Sequence, residues 1–513
     1  MLNIRPYNNK EYLLFPPFIG DYLPKEHLSH VIDEAVEEID LTPYYRKIST
    51  VGNPAYDPAL MIKIWFYGYA TRTYSSRKID DKVNTDVAFI YLAGMQKPDF
   101  RTISDFRKNN LNELKNSFVD ILQICHRLGM TQLGNISLDS KVMKANASAS
   151  RTYDEKELIK ERQEIQKAIE EYLEKANQTD IEEDKKYGTD KRGNELPEDI
   201  RDKEKRIKKM KRIIEQLKQA QNKLKQSGKK KINLTDEGAQ FQKDKSRIIP
   251  GYRVQVAVDS KEQIIVANDV TPDQCDASQL IPMVDEICEN VKELKKESNN
   301  DEKEKLKIIA DSRYNSELNL AELENKENIE PYIPDMRHQA KKQGHKTTES
   351  SPFHMSKFVF NQEGNYFVCP VGKKLNYIKQ KKYRNRLVSI YTCKECNYCH
   401  HFGKCTTDKN GRSIWVSEYA HLVKKMRQKL STSEGKKIYG LRKITVEPVL
   451  GNLSQNLGFR EFLLRGKEKV KGEFSLMCTA HNILKIAKSV RCLGKTLKEI
   501  LTIPEPVLLI DSS

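Results

Sequence analysis

Apolar residues recur at helical spacing through the first 130 residues of the chain. The spacing over residues 27–39 and 58–71 predicts two amphipathic helices. Asp57 is suited to cap the second helix, and Pro58 fits its first turn. Residues 1–130 are therefore predicted to form a helical N-terminal domain.

Several of these predicted short helices begin with hydroxyl and basic residues. Arg77 follows two serines, and Arg107 lies in a segment that starts at Thr102. Helix starts of this composition suit phosphate contacts, which makes the domain a candidate DNA-binding domain with Arg77 and Arg107 as contact residues. An ordinary helical bundle with a charged surface is the alternative.

The pattern changes to short apolar runs in two segments, 131–153 and 232–335. Residues 135–138 read as a strand that ends at Asp139, and residues 252–259 and 264–270 read as a hairpin around a turn at 260–263. A helix over 277–295, a strand over 306–311 and a helix over 317–325 follow. This order predicts an α/β or α+β core with a mixed sheet.

Residues 154–231 interrupt this core with a highly charged insertion. Leucine and isoleucine recur at helical intervals over 154–178 and 198–228, which predicts an antiparallel helical hairpin with a polar loop over 179–197. The favoured interpretation is a solvated insertion that carries no chemistry.

The rest of the chain divides into three parts. Residues 336–415 form a basic, cysteine-rich insertion that opens with a polar loop, residues 416–495 return to helical character as the C-terminal part of the core, and residues 496–513 are a tail.

Composition narrows the class of protein. A chain of 513 residues is long enough for two to four domains, and its formal charge of +17 favours a polyanionic partner, most often nucleic acid. No apolar run approaches the roughly 20 residues that span a bilayer. The first residues lack the layout of a secretory signal, so the expected location is cytoplasmic, without a membrane partner.

Five of the ten cysteines cluster in the cysteine-rich insertion, at Cys369, Cys393, Cys396, Cys399 and Cys405. Thiolates two residues apart can reach one tetrahedral ion, so the spacing predicts a structural Zn²⁺ site. An iron–sulfur cluster and unligated reduced thiols are the alternatives. Which four cysteines bind is left open, and His400 and His401 are substitute ligands.

Positive charge is concentrated in and beside this insertion. Residues 371–430 contain fifteen Lys and Arg against three Asp and Glu, a net charge of +12. Such a patch is predicted to follow a phosphate backbone, with a merely solubilising surface as the alternative.

Three acidic residues stand inside otherwise apolar or small-residue stretches, at Asp139, Asp311 and Glu447. Separations of 172 and 136 residues mean that only the fold can bring them together. Carboxylates that converge form an oxygen-rich site suited to Mg²⁺ or Mn²⁺. Each motif is weak by itself, because an Asp after a strand is commonly a turn or a helix cap.

The order of motifs resembles the DDE transposases of bacterial insertion sequences, and the resemblance runs over nearly the whole chain. It rests on the contexts of the three acids together with the segments 56–58, 75–77, 102–107 and 251–259. The closest branch has an N-terminal helical domain, a charged helical insertion and a cysteine-rich insertion.

The resemblance implies a ribonuclease H-like core with Asp139, Asp311 and Glu447 as the catalytic triad. Tyr439 and Arg442 match the Tyr-x₂-Arg start of the family's signature around the Glu. Four departures are present: four residues instead of three lie between Arg442 and Glu447, Ser454 stands where Lys is expected, Arg313 where Gly is usual and Leu450 where Phe is common.

The family's chemistry implies two divalent ions about 4 Å apart that activate the attacking hydroxyl and stabilise the leaving oxygen. Asp139 is expected to bridge both Mg²⁺ or Mn²⁺ ions, with Asp311 and Glu447 on either side. Phosphate contacts are expected from Arg442 and Arg465, and Tyr439 is a further DNA-binding candidate. Glu468 and Glu473 are rivals for the third carboxylate.

The expected partners are double-stranded DNA, as element ends and target, and a second copy of the chain in the DNA complex. The leading function is metal-dependent cleavage and joining of DNA strands at element ends. A DNA-binding protein derived from such an element, and a nuclease that cuts without joining, are the two alternatives.

Overall fold

The computed structural model describes residues 18–49, 51, 53–187, 198–244, 247–298, 305–336 and 351–502. The beginning of the predicted tail lies within these ranges, and 503–513 lie outside them. Parts of the predicted polar loops, at 188–197 and 337–350, also lie outside the described residues.

The N-terminal part is helical, as predicted. Its helices are α1 Leu28–Glu37, α2 Thr42–Tyr45, α3 Pro58–Ala70, α4 Ser76–Thr85, α5 Val87–Leu92, α6 Phe100–Asn109 and α7 Leu111–Arg127. The Asp57 side chain accepts the Ala59 N–H at 2.8 Å, which confirms the predicted cap of α3. Almost every side chain of α3 is buried, including Trp65 and Phe66. This helix is therefore the centre of the N-terminal core.

The middle of the chain supplies a mixed sheet and the helices around it. The strands are β1 Asn135–Lys144, β2 Thr152–Tyr153, β3 Ile232–Asn233, β4 Gln240–Asp244, β5 Arg247–Asp259, β6 Ile265–Thr271, β7 Leu306–Ala310 and β8 Ile329–Tyr332. The helices between them are α8 Glu155–Tyr187, α9 Glu198–Ser227, α10 Leu280–Ser298 and α11 Glu317–Glu324. The predicted mixed sheet in an α+β arrangement is confirmed.

Strand β1 lies at the centre of the main sheet. The order is β4-β5-β1-β7-β8, with β6 also paired to β5. β1 is antiparallel to β5 and parallel to β7, and β7 is parallel to β8. β1 does not end at Asp139 as predicted. It continues to Lys144, because its second half keeps pairing with β5 up to Gly251.

Helices α8 and α9 pack side by side as the predicted antiparallel hairpin. Lys225 pairs with Glu155 at 3.2 Å, and Arg162 donates to Gln221 at 3.2 Å. A small separate core that includes Leu158, Leu217 and Leu224 holds the pair together. Helix α8 extends to Tyr187, past the predicted start of the loop at 179.

The cysteine-rich segment contains a second sheet that the sequence did not predict. Its strands are β9 Val359–Asn361, β10 Tyr366–Val368, β11 Lys374–Tyr383, β12 Arg386–Thr392 and β13 Ser413–Ser417, in the order β13-β12-β11-β10-β9. All neighbouring pairs are antiparallel. Most of β11 is exposed, so the alternation of apolar and polar residues that marks a strand is weak.

The last part of the chain is helical, as predicted. It comprises α12 Ala420–Ser431, α13 Ser433–Gly451, α14 Lys467–Leu493 and α15 Leu497–Leu501. α13 lies against β1, β5 and β7, whereas α14 packs against α3, α7 and β6. One continuous core therefore joins the N-terminal helices, the main sheet and α14. Among the described residues, no helix combines the length and the apolar character needed to cross a bilayer.

Candidate active site

Two of the three predicted carboxylates are brought together by the register of the main sheet. Leu138 of β1 lies opposite Ala310 of β7 in a parallel pair. The next residue on each strand is therefore the acid, and Asp139 stands beside Asp311. Asp139 is buried in the middle of β1, and Asp311 caps the short 3₁₀ turn 312–314 through the Ser312 N–H at 2.6 Å.

The third carboxylate, Glu447, comes from helix α13 and not from a strand of the sheet. Arg442, one and a half turns earlier on this helix, joins it to the sheet. Its Nη1 lies 2.7 Å from Asp139 Oδ2, and its Nη2 lies 2.7 Å from Glu447 Oε1. The Arg442 guanidinium therefore bridges Asp139, which lies 303 residues earlier in the sequence, and Glu447, which lies 5 residues later.

A second guanidinium, that of Arg313, lies on the other side of the same group. Its Nε is 3.1 Å from Asp311 Oδ2, and its Nη2 is 3.8 Å from Asp139 Oδ1. Its Nη1 is 3.3 Å from Asp276 Oδ2. Arg313 and Arg442 together contact all three predicted carboxylates.

Asp276 is a fourth carboxylate at the site, and sequence reasoning missed it. Its side chain is 1% exposed, accepts from Ser140 Oγ at 2.8 Å and pairs with Arg253 Nη1 at 3.1 Å. An acid just before a helix is typical of a cap, so nothing in the sequence separated it from ordinary turn residues. Asp276 therefore holds Ser140, the residue next to Asp139, through this hydrogen bond.

Burial and charge act in opposite directions on Asp139. Burial raises the pKa of its carboxyl, and the Arg442 guanidinium opposes that rise. For Arg442, burial acts to lower the pKa, but Asp139 and the other acidic neighbours outweigh it and leave the pKa raised. The ionised form of Asp139 therefore depends on a cation next to it.

Lys141, two residues after Asp139, reaches the position where the family signature places a lysine. Its Nζ donates to the Ser454 hydroxyl, which follows α13. Ser454 replaces the lysine of the family signature, and the Lys141 ammonium group from β1 lies beside this serine.

Comparison with protein families gives two matches. In the sequence, one precedes the strands of the main sheet and the other follows them. Residues 17–109 match the transposase domain family DUF772, and residues 368–487 match the transposase DDE domain family. Together the two matches support a DDE transposase of the insertion-sequence type. Searches of curated proteins and of solved structures found no match. The DDE match includes Glu447 and all five clustered cysteines, whereas Asp139 and Asp311 lie outside both matches.

Among the described residues, no group of three or more His, Cys, Asp or Glu side chains is arranged to hold a metal ion. At the three predicted carboxylates, a guanidinium of Arg442 or Arg313 contacts at least one oxygen of each side chain.

The predicted DNA contacts of the transposase differ in accessibility. Arg77 is exposed beside the Phe100 ring, at 5.1 Å from its centroid. Arg465 is exposed and donates to Asn146 O and Oδ1, both at 3.1 Å. Tyr439 is half-buried near Arg442.

The structure corrects the prediction for Arg107. This side chain is 4% exposed, donates to the Tyr69 hydroxyl at 3.0 Å and lies 4.3 Å from the centroid of the Trp65 ring. An arginine enclosed in this way supports the N-terminal core and has no path to a phosphate. The sequence suggested an exposed residue at a helix start, whereas the structure shows a buried cation–π contact.

The two rival glutamates lie on α14, whereas Glu447 lies on α13. Glu468 is exposed in the first turn of α14, and Glu473 is fully buried on the same helix. Glu473 accepts the backbone N–H groups of Leu463, at 3.0 Å, and Leu464, at 2.8 Å. Glu473 therefore has a structural task, the fixing of the turn that enters α14.

We expect Glu473→Ala to lower the free energy of unfolding of the protein by about 3 kcal/mol, because one buried and one partly buried N–H donor lose their acceptor. Glu468→Ala, an exposed change on the same helix, should stay within about 0.5 kcal/mol. Urea unfolding followed by circular dichroism measures both. Equal stability of the two variants would contradict the role assigned to Glu473.

The five clustered cysteines of the transposase surround one small cavity at the end of the second sheet. Their side chains line it together with His401, and its volume is about 20 Å³. His400, the other substitute ligand, is exposed in the same loop.

Proposed function

We propose that the transposase cleaves and joins DNA strands at the ends of its element, with Asp139, Asp311 and Glu447 as ligands for Mg²⁺ or Mn²⁺. The observation that carries the proposal is the convergence of these three carboxylates, from β1, the end of β7 and α13, on two shared guanidiniums. The sheet order with β1 in the centre supports a ribonuclease H-like core.

The residues fit divalent cations by their chemistry. All three offer carboxylate oxygens, the donors that Mg²⁺ and Mn²⁺ prefer. Asp139 is buried with raised pKa, so a cation at this position favours its ionised form. When bound, the ions supply activation of the attacking hydroxyl and stabilisation of the leaving oxygen.

The two arginines have a defined part in this proposal. In the structure they neutralise the carboxylates, and a phosphate offers the same forked donors an alternative partner. Binding of DNA therefore draws Arg442 and Arg313 toward the backbone and frees carboxylate oxygens for cations. Lys141 supplies a further positive group at Ser454.

The positive surface follows the same logic. The region 371–430 carries a net charge of +12, and many of its basic side chains are exposed. We propose that this surface, with Arg77 and Arg465, holds double-stranded DNA through its phosphates. Because two element ends are joined in one event, two copies of the chain are expected in the DNA complex.

Cleavage of the element's own ends tests the proposal. The purified protein is incubated with a duplex that carries the inverted repeat flanking its coding region, with Mg²⁺, Mn²⁺ or a chelator. Metal-dependent nicks at the repeat end and joined products are the expected result. Cuts without joined products would identify a nuclease, and binding without cuts a DNA-binding protein.

We expect Arg313→Gln to raise the affinity for Mn²⁺ in the absence of DNA about three- to tenfold. The change removes a positive charge that lies within 4 Å of two predicted ligands, and because Arg313 is half exposed the effect is screened. Isothermal titration with Mn²⁺ measures the affinity.

Arg427→Gln is the matched control, because Arg427 forms an ion pair with Asp335, at 2.6 Å, instead of with the site. Its Mn²⁺ affinity should equal that of the wild type. An unchanged affinity for Arg313→Gln would show that this guanidinium does not compete with cations.

A further inference from the structure

We propose that Cys369, Cys393, Cys396 and Cys405 bind one structural Zn²⁺ ion and that Cys399 is not a ligand. This assignment is independent of the proposed DNA chemistry, because it concerns the second sheet alone. It selects four of the five cysteines that the sequence left equivalent.

The topology of the second sheet brings the first two cysteines to one edge. β10 and β12 are each antiparallel to β11 and therefore run in the same direction. Cys369 follows the last residue of β10, and Cys393 follows the last residue of β12. Both leave the sheet at the same end, where the turn 394–398 and the loop before β13 add Cys396 and Cys405.

These four cysteines differ from Cys399 in their contact with the small core of the second sheet. Cys393 is a buried member of the small core of this sheet, and Cys369, Cys396 and Cys405 pack against that core. Cys399 lines the cavity but is not part of the packed cluster. All five thiols are free of disulfides.

Two backbone N–H groups of this sheet are directed at sulfur. Lys373 N donates to Cys369 Sγ at 3.2 Å, and Arg412 N donates to Cys396 Sγ at 3.3 Å. Each donor follows a glycine with positive φ, Gly372 at 80° and Gly411 at 85°. Backbone N–H donors directed at sulfur are the kind of outer contact that orients the ligands of a metal site.

Gly411 shows how tightly the loop before β13 is built. A Cβ on this residue would lie 1.9 Å from the carbonyl oxygen of Cys393. Only glycine therefore allows the loop to approach Cys393 and Cys396 so closely. The close approach lets Arg412 O accept the Cys393 N–H at 3.1 Å while Arg412 N donates to Cys396 Sγ.

The size of the cavity favours a single ion. A volume of about 20 Å³ is near that of one water-sized sphere and is too small for a cluster of several iron and sulfide atoms. Four thiolates around one ion form the closed tetrahedral set of structural zinc. No three of these side chains are already arranged as a ligand set in the described chain, so binding would bring the thiols closer together.

The apolar core of the second sheet is small, so this sheet needs a further cross-link such as a metal ion. The buried side chains of its core are Phe358, Leu375, Tyr391, Cys393 and Ile414. A core of this size is too small to hold five strands by apolar burial alone, and small units are commonly held by a metal or disulfides. A zinc ion would join both ends of the segment between β10 and β13.

Metal analysis of the full-length protein tests the inference. Protein purified without chelator should contain one Zn²⁺ per chain by mass spectrometry of the metal. Replacement by Co²⁺ should give the strong sulfur-to-cobalt absorption and the visible bands of a tetrahedral site. Absence of zinc, or the absorption of an iron–sulfur cluster, would overturn the proposal.

Two variants test the choice of ligands. Cys405→Ser should reduce the zinc content at least tenfold, whereas Cys399→Ser, the matched control in the same loop, should keep one ion per chain. Zinc lost from Cys399→Ser but retained by Cys405→Ser would overturn the assignment.

A thiol titration of the native wild-type protein covers the case in which Cys405→Ser does not fold. Removal of zinc by a chelator should make four additional thiols reactive. No change in the number of reactive thiols would contradict a site made of these cysteines.

Discussion

Asp139→Asn is expected to slow metal-dependent cleavage of an end-containing DNA by at least about 10³-fold, because the change would remove a proposed metal ligand and with it several kcal/mol of transition-state stabilisation. Asparagine keeps the size of the side chain but loses the negative charge that lies 2.7 Å from Arg442. A single-turnover cleavage assay with Mg²⁺ or Mn²⁺ measures the rate. DNA affinity, from a gel-shift titration, should change less than about threefold, since Asp139 is not itself a proposed phosphate contact and most of the proposed contacts lie on the exposed basic surface.

Asp105→Asn is the matched control for this substitution. Asp105 lies on α6, is exposed and pairs with Lys108 at 3.0 Å. Its cleavage rate should equal that of the wild type. Equal rates for Asp139→Asn and the wild type would reject Asp139 as a ligand, and a thermal melt of each variant separates loss of chemistry from loss of fold.

Glu447→Gln is expected to lower the same rate by at least about 10²-fold, because Glu447 would be the third of the carboxylates that hold the metal ions in the proposed site. Its side chain is 45% exposed and its ion pair is with Arg442, so the folded state should lose less than about 1 kcal/mol. A large loss of rate with an unchanged melting temperature is therefore the signature of a ligand.

Glu468→Gln provides the matched comparison, because it was the exposed rival for the third carboxylate. Its rate should remain within about twofold of the wild type. If Glu468→Gln lost activity and Glu447→Gln retained it, the third ligand would belong to α14 instead of α13.

Local patterns in the sequence predicted the secondary structure well where the deciding contacts join residues that are close in the chain. The helices α8 and α9, the cap of α3 by Asp57 and the hairpin of β5 and β6 follow from contacts between residues a few positions apart. The second sheet was missed, because an exposed strand such as β11 shows little alternation of apolar and polar residues.

Non-local packing overturned two readings made from local context. Arg107 looked like a basic residue at an exposed helix start, but Tyr69 and Trp65 enclose it. Asp139 looked like the end of a strand, but pairing with β5, more than a hundred residues later, extends that strand to Lys144. In both cases the deciding partner is distant in the chain.

The sequence by itself determined which residue types are available: three acids in apolar stretches, a cluster of cysteines and a large positive charge. Only the tertiary structure decided that Leu138 pairs with Ala310, which sets Asp139 beside Asp311, and that α13 lies on this sheet, which lets Arg442 reach Glu447 and Asp139 together. Strand register and helix docking depend on the total burial of many side chains, so no short segment encodes them. The catalytic roles of the three acids remain predictions, and the proximity of their carboxylates is what the fold adds to them.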